Sequence, residues 1–337
     1  MRIMVFDVPA ESGGALTILK QYYEKAINDK NNEWIFVVST PYLNETKNVK
    51  ILRYPWIKKS WFHRFYFDQF KAHKIVKKYE INEILSLQNV IIKKSKAKQT
   101  LYLHQPLPFV EKRYRITENF KFWIYQNLIS KMIYSSIEEA DKVIVQTRWM
   151  KEACLRNLVA DSTKFKIEQP KINIEVKKIY KQESYESKLF FYPASALIYK
   201  NHKVIVEAAM ELKKQSITNY KIIFTLKGNE SKNIKKIYEI VKSYDLPIEF
   251  IGQISLEEVY DYYSRSILIF PSYIETFGLP MLEAKMHESP IIASDCAFSH
   301  EILDGYEKTY FFKYFDFYDL SEKMNFIINN NPSKFYN

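Results

Sequence analysis

The chain has 337 residues, enough for about two domains, and 47% of them are hydrophobic, which supplies a core for each. Only 6 glycines exclude collagen-like or low-complexity structure, and 2 cysteines, Cys154 and Cys296, exclude a disulfide framework and fit a reducing cytoplasm. The net charge of +11 sits in the first half: residues 1–170 hold 29 Lys+Arg against 17 Asp+Glu, while the remainder holds 21 against 22. Such a half-molecule calls for an anionic partner: nucleic acid, a membrane surface or a phosphorylated substrate.

Arg2 to Val8 reads as a mostly apolar strand, too short and too soon followed by acids for a signal peptide. The turn Pro9 to Gly14 leads into a helix from about Ala15 to Ile27. Strand, glycine turn and helix is an arrangement that cradles phosphate, although Gly13-Gly14 fits a plain turn equally well. Strands follow at Trp34–Ser39 and Val49–Tyr54. Trp56 to Phe67 then interleaves aromatic and basic residues, with a helix expected after it to about Tyr79. That composition suits either a membrane interface or the solvated face of a core helix. Further basic residues, Lys93, Lys94, Lys96, Lys98, Lys112, Arg113 and Arg115, could add to an anionic-lipid surface. No run of about 18 apolar residues exists, so no transmembrane helix is expected.

Leu101 to Leu103 is a short strand ending at His104, and a histidine at the C-terminal end of a parallel strand faces a ligand crevice. Helix is expected from Glu118 to about Glu139, and Lys142 to Gln146 reads as the last strand of this half. Residues 168–187 look like the crossing between a domain of residues 1–170 and one of residues 171–337. Phe190–Tyr192, Lys221–Leu226 and Glu249–Gly252 are strands of the second half, with a helix through Lys214. Ser255 and Glu258 form a capping box at the start of a helix. Ser299 is expected to cap a short helix to Gly305.

Ser266 to Asp295 organises the second half. Ile267–Phe270 is a buried-strand run, stopped by Pro271 and Ser272; Pro280 suits the first turn of a helix; Pro290–Ala293 is the next strand. Free amides over Thr276–Leu279 would attract phosphate, and Gly278 lets the backbone come close. Glu275 and Glu283, with seven residues between them, flank that point and could accept hydrogen bonds from hydroxyls on either side of a phosphate. Ribose, diphosphate and hexose have that order in a nucleotide sugar.

Glu275-Thr276-Phe277-Gly278-Leu279-Pro280-Met281-Leu282-Glu283-Ala284 resembles the E-x7-E segment of the family 4 glycosyltransferases, retaining enzymes of the GT-B fold. The resemblance implies an α/β fold of two Rossmann-like domains facing a cleft, an acceptor-binding domain first and a donor-binding domain second. It implies that Glu275 holds the sugar hydroxyls, Glu283 the ribose, and Lys200 with the amides of Phe277, Gly278 and Leu279 the departing diphosphate. It also implies donor contacts from Gly14, Ser195, Lys227, Gln253 and Thr276, and a sugar contact from His104. Many members carry an arginine five residues before the lysine; here that place holds Ser195, as in a branch with the Lys-Asn-His form seen at Lys200-Asn201-His202.

No Asp-x-Asp occurs, so fixed charges and amides, rather than a metal, are expected to hold the diphosphate, and no cofactor is expected. The implied acceptor is a saccharide or a lipid-diphosphate-linked saccharide in surface polysaccharide synthesis, such as capsule or O-antigen. The implied place is the cytoplasm, peripheral on the inner face of the cell membrane. A nucleic-acid partner is not expected, because no recognised motif accompanies the basic patch. Two other readings stay open: a non-catalytic nucleotide-binding partner of a transferase, and a sugar-nucleotide epimerase on the same fold. The helix that closes such enzymes onto their first domain is expected to be shortened or absent here.

Overall fold

The computed structural model describes residues 1–11, 13–170, 174–181 and 187–330. The chain divides into two compact units, Met1–Ile172 and Asn173–Asn337. The crossing expected at 168–187 and the residues after 330 lie partly or wholly outside the described residues.

The first unit is a parallel sheet of seven strands: β1 Arg2–Asp7, β2 Glu33–Val38, β3 Val49–Arg53, β4 Glu83–Ser86, β5 Lys98–Leu103, β6 Lys142–Val145 and β7 Phe165–Ile167, in the order β3-β2-β1-β4-β5-β6-β7. Helix α1, Gly13–Asn28, follows β1; its buried Ile18, Leu19, Tyr22 and Ala26 pack on Val5, Phe36 and Tyr102. On the other face lies a long helical stretch: α2 Trp61–Tyr66, a π-turn Phe67–Lys71 and α3 Ala72–Lys78. A second, α4 Phe120–Ile124, a π-turn Tyr125–Ile129 and α5 Ser130–Glu139, shares that face. Phe67, Ala72 and Val76 cover Met4 and Phe6; Ile133 and Ile137 cover Leu101, Leu103 and Val143. The register Phe6↔Ser86↔Leu101↔Val143 puts these sheet residues on one side. Helix α6, Arg148–Asn157, joins β6 to β7.

The second unit repeats the plan with six parallel strands: β8 Lys188–Tyr192, β9 Tyr220–Phe224, β10 Ile248–Phe250, β11 Ile267–Phe270, β12 Ile291–Ser294 and β13 Thr309–Phe312, in the order β10-β9-β8-β11-β12-β13. The intervening helices are α7 His202–Lys214, α8 Lys232–Ser243, α9 Leu256–Tyr263, α10 Leu279–Met286 and α11 Ala297–Leu303; α12, Phe317–Asn329, follows β13. Strands buried on both faces read as apolar runs, and β11, ILIF, is buried at all four positions. In each sheet the strand order reverses beside the first strand, at β1/β4 and at β8/β11, and that switch point opens a crevice at the C-terminal ends of the strands.

Three expectations are corrected, and one strand is added. The aromatic–basic segment is not a prelude to a helix but helical itself from Trp61, because the Ser60 hydroxyl accepts from the His63 amide and caps the first turn. β6 is not the last strand of the first unit, since β7 pairs with it in parallel. β4, unread in the sequence, fills the place between β1 and β5. Ser299 is not an N-cap: α11 starts at Ala297 after Cys296, and Ser299 is buried inside it with a hydroxyl that has no hydrogen-bond partner among the described residues. The capping box of Ser255 and Glu258 is present with both of its bonds.

Candidate functional site

The site is built at the C-terminal ends of β8 and β11, beside the switch point. After β11, Pro271 ends the ladder and Ser272 turns the chain. The Ser294 hydroxyl donates to the Ser272 carbonyl at 2.5 Å, fixing the turn to β12. The Ser272 hydroxyl donates in turn to Glu275 Oε1 at 2.7 Å. The same Oε1 meets the ammonium of Lys200, and both side chains are about five-sixths buried, at 15% and 16% exposure.

Lys200 reaches that point from a single 3₁₀ turn, Ile198–Lys200, after β8. Several hydrogen bonds hold the turn. The Tyr192 hydroxyl donates to the Lys200 carbonyl at 2.7 Å, and the Tyr273 amide donates to the Tyr199 carbonyl at 3.2 Å. Asn201, in the left-handed conformation that Asn tolerates, donates through its side chain to the Tyr314 carbonyl at 2.6 Å. The Lys200 ammonium also lies 5.7 Å from the Tyr199 ring and 5.9 Å from the Phe270 ring, close enough for cation–π attraction. Burial and the Glu275 charge push the phenols of Tyr192 and Tyr199 up, so both stay neutral donors. His202, buried beneath Tyr192, is pushed down to about 3 by burial and by Lys200, and is therefore a neutral packing residue.

Gly278 introduces α10. Its φ of +93° is one that a side chain resists, and a Cβ there would lie 2.5 Å from Met281 Cε. Phe277 is buried, so its side chain packs inward and makes no contact with a ligand. Thr276 and Leu279 are partly exposed on either side. Glu283, on the second turn of α10, accepts from the Tyr263 hydroxyl at 3.1 Å; burial raises its pKa and Tyr263 pulls it back. Its charge helps hold Tyr260 up at about 12, after burial.

Lys227 and Gln253 are exposed at the ends of β9 and β10. They belong to one corner, because the Lys227 stem lies over Gly252, where a Cβ would meet Cγ at 3.3 Å. The amides of Lys227 and Gly228 donate to the Glu230 carboxylate, which fills that small nest itself. Ser195 is exposed in the loop before Lys200.

In the first unit, taken by itself, Gly14 is exposed in the first turn of α1, while Gly13 supplies the left-handed turn at φ +59°. His104 follows β5; its amide donates to Asn89 Oδ1 at 2.8 Å, its ring meets Tyr102 edge-on at 5.8 Å, and burial pushes it down to about 4. It is neutral at physiological pH and can donate or accept one hydrogen bond at each ring nitrogen. Among the described residues no cluster of three or more His, Cys, Asp and Glu side chains could hold a metal, and no helix is long and apolar enough to cross a membrane.

The structure thus brings Lys200 and Glu275 together, sets Glu283 on the helix behind them, and places Lys227 with Gln253 at the neighbouring strand ends. Ser272 and Tyr263, which orient the two carboxylates, were not singled out in the sequence. Ser272 reads there only as a strand breaker, and nothing in the chain marks Tyr263 as the partner of a residue twenty positions on.

Comparison with known proteins bears on the fold and the family. Residues 174–336 match the family glycosyl transferases group 1. A curated relative, the O-antigen chain mannosyltransferase RfbU of Salmonella typhimurium, is 23% identical over 208 residues, 61% of this chain and 54% of that protein, so the match spans about half of the relative's length. Sucrose-phosphate synthase from Thermosynechococcus elongatus shares the fold with a TM-score of 0.74 at 18% identity, over 98% of this chain and 90% of that one. Anabaena HepE, solved with UDP and glucose, gives 0.69 at 12% over 98% and 90%. WaaG, a glycosyltransferase involved in lipopolysaccharide biosynthesis, gives 0.69 at 11% over 98% and 91%.

Proposed function

We propose that this chain, a group 1 glycosyltransferase by its second unit and of the GT-B fold, transfers a sugar from a nucleotide sugar to a saccharide hydroxyl with retention of anomeric configuration. The observation that carries the reading is the Lys200–Glu275 pair, set at the switch point beside the amides that open α10. A donor exchanges its own groups for that pair. Its diphosphate takes the Lys200 ammonium and the amides of Phe277 to Leu279, which stabilise the charge that grows as the diphosphate leaves. Its sugar hydroxyls donate to Glu275, which Ser272 keeps oriented. Glu283 takes the ribose hydroxyls, and Lys227 with Gln253 borders the base. The acceptor's proton passes to the leaving phosphate, and no metal is used.

The names of RfbU and WaaG support a saccharide acceptor in O-antigen or lipopolysaccharide synthesis, and HepE supports a nucleoside diphosphate donor. With the basic first half, they favour an acceptor on a lipid diphosphate, met by a protein lying peripherally on the inner membrane face.

The test is a thermal-shift screen against UDP, GDP, dTDP, CMP and their sugars, followed by transfer assays with the donor it identifies. A ligand present at about 100 times its Kd stabilises the folded state by about 2.7 kcal/mol. Glu275→Gln should keep the nucleotide shift while losing transfer on the order of 10²–10³-fold. A product of inverted configuration, or loss of activity with a chelator, would remove the corresponding part of the proposal. No shift with any nucleotide at millimolar concentration would sink the donor site.

A further inference from the structure

The second unit carries a shelf of aromatic rings beside the Lys200–Glu275 pair, and no step of the proposed transfer uses those rings. Tyr273, in the turn before Glu275, stacks on Tyr314 with ring centroids 5.3 Å apart and an interplanar angle of 18°. Phe315 packs on both, 5.2 Å from the Tyr273 ring and 4.3 Å from the Tyr314 ring. Phe315 is nevertheless 60% exposed, and Tyr273 and Tyr314 are partly exposed. A lone exposed ring needs no explanation. A stack of them at the ligand-facing ends of a parallel sheet does.

Hydrogen bonds fix the shelf to the site. The Tyr273 amide donates to the Tyr199 carbonyl at 3.2 Å, and the Asn201 side chain donates to the Tyr314 carbonyl at 2.6 Å. Both parts of the shelf are therefore tied to the turn that carries Lys200. The loop after β13 is closed from its other end as well. The Asp316 amide donates to the Lys313 carbonyl at 2.8 Å, and the Lys313 amide donates to Asp319 Oδ2 at 2.9 Å. Asp316 also caps α12 through the amides of Tyr318 and Asp319. Rings fixed in this way lose little freedom when a ligand settles on them.

Position along the sheet says which ligand that is. The strands run β10-β9-β8-β11-β12-β13. Lys227 and Gln253, which border the base, stand at the ends of β9 and β10. Lys200 and Glu275, which take the diphosphate and the transferred sugar, follow β8 and β11. Tyr273 and the Tyr314–Phe315 loop follow β11 and β13, further in the same direction. A donor laid out as base, diphosphate and sugar thus points its sugar at the shelf, and the group that must meet that sugar is the acceptor. The chemistry agrees. A pyranose has a face of C–H groups and a rim of hydroxyls. An aromatic face carries the negative side of the ring quadrupole, which attracts C–H groups, and tyrosine adds a hydroxyl that donates and accepts.

We propose that Tyr273, Tyr314 and Phe315 hold a pyranose ring of the saccharide acceptor, stacked by its C–H face beside the donor sugar. The inference rests on the proposed sugar transfer for its choice of an acceptor sugar; the stacking itself is tested without turnover.

The experiment is saturation-transfer NMR on the full chain with the methyl glycosides of glucose, galactose, mannose and N-acetylglucosamine, each at tens of millimolar. Saturating the aromatic protons of the protein should pass magnetisation to the C–H protons of at least one glycoside. Phe315→Leu keeps an apolar side chain but removes the ring face, and should weaken binding of that glycoside by about two- to tenfold. Phe315→Tyr keeps the ring and should stay within about twofold of wild type. The position is exposed, so neither substitution threatens the fold. No transfer to any glycoside, equal binding by wild type and Phe315→Leu, or an equal loss in the leucine and tyrosine variants would each overturn the proposal. A changed sedimentation of Phe315→Leu would overturn it too, by assigning the rings to a contact between copies. So would a nucleotide-sugar melting shift that falls in Phe315→Leu while the shift with the bare nucleotide holds, which would give the shelf to the donor's own sugar. The bare nucleotide shift reads the donor site separately. Glycoside binding that Phe315→Leu weakens, in a protein that no nucleotide stabilises, would sink the donor site and keep the shelf.

Discussion

Asp7 offers the sharpest quantitative test of the first unit. It ends β1, is fully buried, and among the described residues neither of its carboxylate oxygens has a hydrogen-bond partner within ordinary geometry. The nearest cations are spoken for: Lys58 pairs with Glu11 at 2.8 Å and donates to the Pro9 carbonyl, and Arg64 pairs with Asp68. Burial accordingly pushes Asp7 up to about 8, against the pull of the Ala10 amide, Arg64 and Lys58. The unfolded chain releases this proton near the ordinary aspartate value of about 3.9. Between that value and 8 the folded state holds a proton that the unfolded state has lost. Stability from this group is fully present below about pH 4, falls as the pH rises, and is flat again above about 8. The slope is at most about 1.4 kcal/mol per pH unit, so from pH 5 to pH 8 the ceiling is about 4 kcal/mol. Asp7→Asn removes the titration. All five tryptophans, at positions 34, 56, 61, 123 and 149, lie in the first unit, so their fluorescence follows its unfolding alone. The wild-type urea midpoint should fall relative to that of Asp7→Asn as the pH rises across that range, and the variant should be favoured at pH 8. Buried His104, pushed down to about 4, acts in the opposite sense below about pH 6.5 but equally in both proteins, so the difference between them isolates Asp7. Parallel curves for the two proteins would mean that Asp7 is ionised and compensated in the folded unit, and the reasoning would fail.

Two further outcomes concern the backbone. Gly278→Ala should cost about 1–3 kcal/mol, from the forced left-handed residue and the contact with Met281, and should weaken nucleotide binding in the same melting assay. Gly14→Ala, where a Cβ would meet nothing within 4 Å inside the first turn of α1, should be neutral or gain about 0.4–1 kcal/mol. Loss of donor affinity in that stable variant would show that a ligand approaches the turn closely. Glu258→Ala breaks one half of the capping box of α9 and should lower the melting midpoint by the equivalent of about 0.5–2 kcal/mol, with nucleotide affinity unchanged; altered affinity would give the box a role beyond structure.

The parts that were legible in the sequence share a physical reason. Ile267–Phe270 is buried on both faces and must be apolar throughout, Pro271 must end it, and Gly278 is needed where φ is positive, so each constraint leaves a residue type behind. β4 left little trace, because a four-residue strand held between β1 and β5 gets its place from pairing rather than from its own pattern EILS. β7 is three residues at the sheet edge, shorter than any window that shows alternation. The start of α2 was obscured because Trp, Phe and Tyr in Trp61–Tyr66 favour strands, and a single hydrogen bond from the His63 amide to Ser60 decides otherwise. In the site, Glu275 and Lys200 stand in recognisable strings. Ser272 and Tyr263 act through hydroxyls that only the folded chain brings to their carboxylates.

The Lys200–Glu275 pair also explains why the site needs so many small supports. Two opposite charges held at 15% and 16% exposure have lost most of their hydration, and a pair of that kind is secure only while both members keep partners. Ser272 on the carboxylate and the Tyr199 and Phe270 rings near the ammonium offset part of that loss before any ligand arrives. On the proposed reading, the donor does not have to open a bare ion pair. Diphosphate replaces the carboxylate at Lys200 while sugar hydroxyls replace the ammonium at Glu275, so neither group passes through an uncompensated state. The same reasoning makes Glu275→Gln a better probe than Glu275→Ala. The amide still accepts from Ser272 and fills the space, whereas alanine leaves a buried ammonium without its carboxylate, a loss that costs several kcal/mol by itself and would confuse a catalytic defect with a structural one.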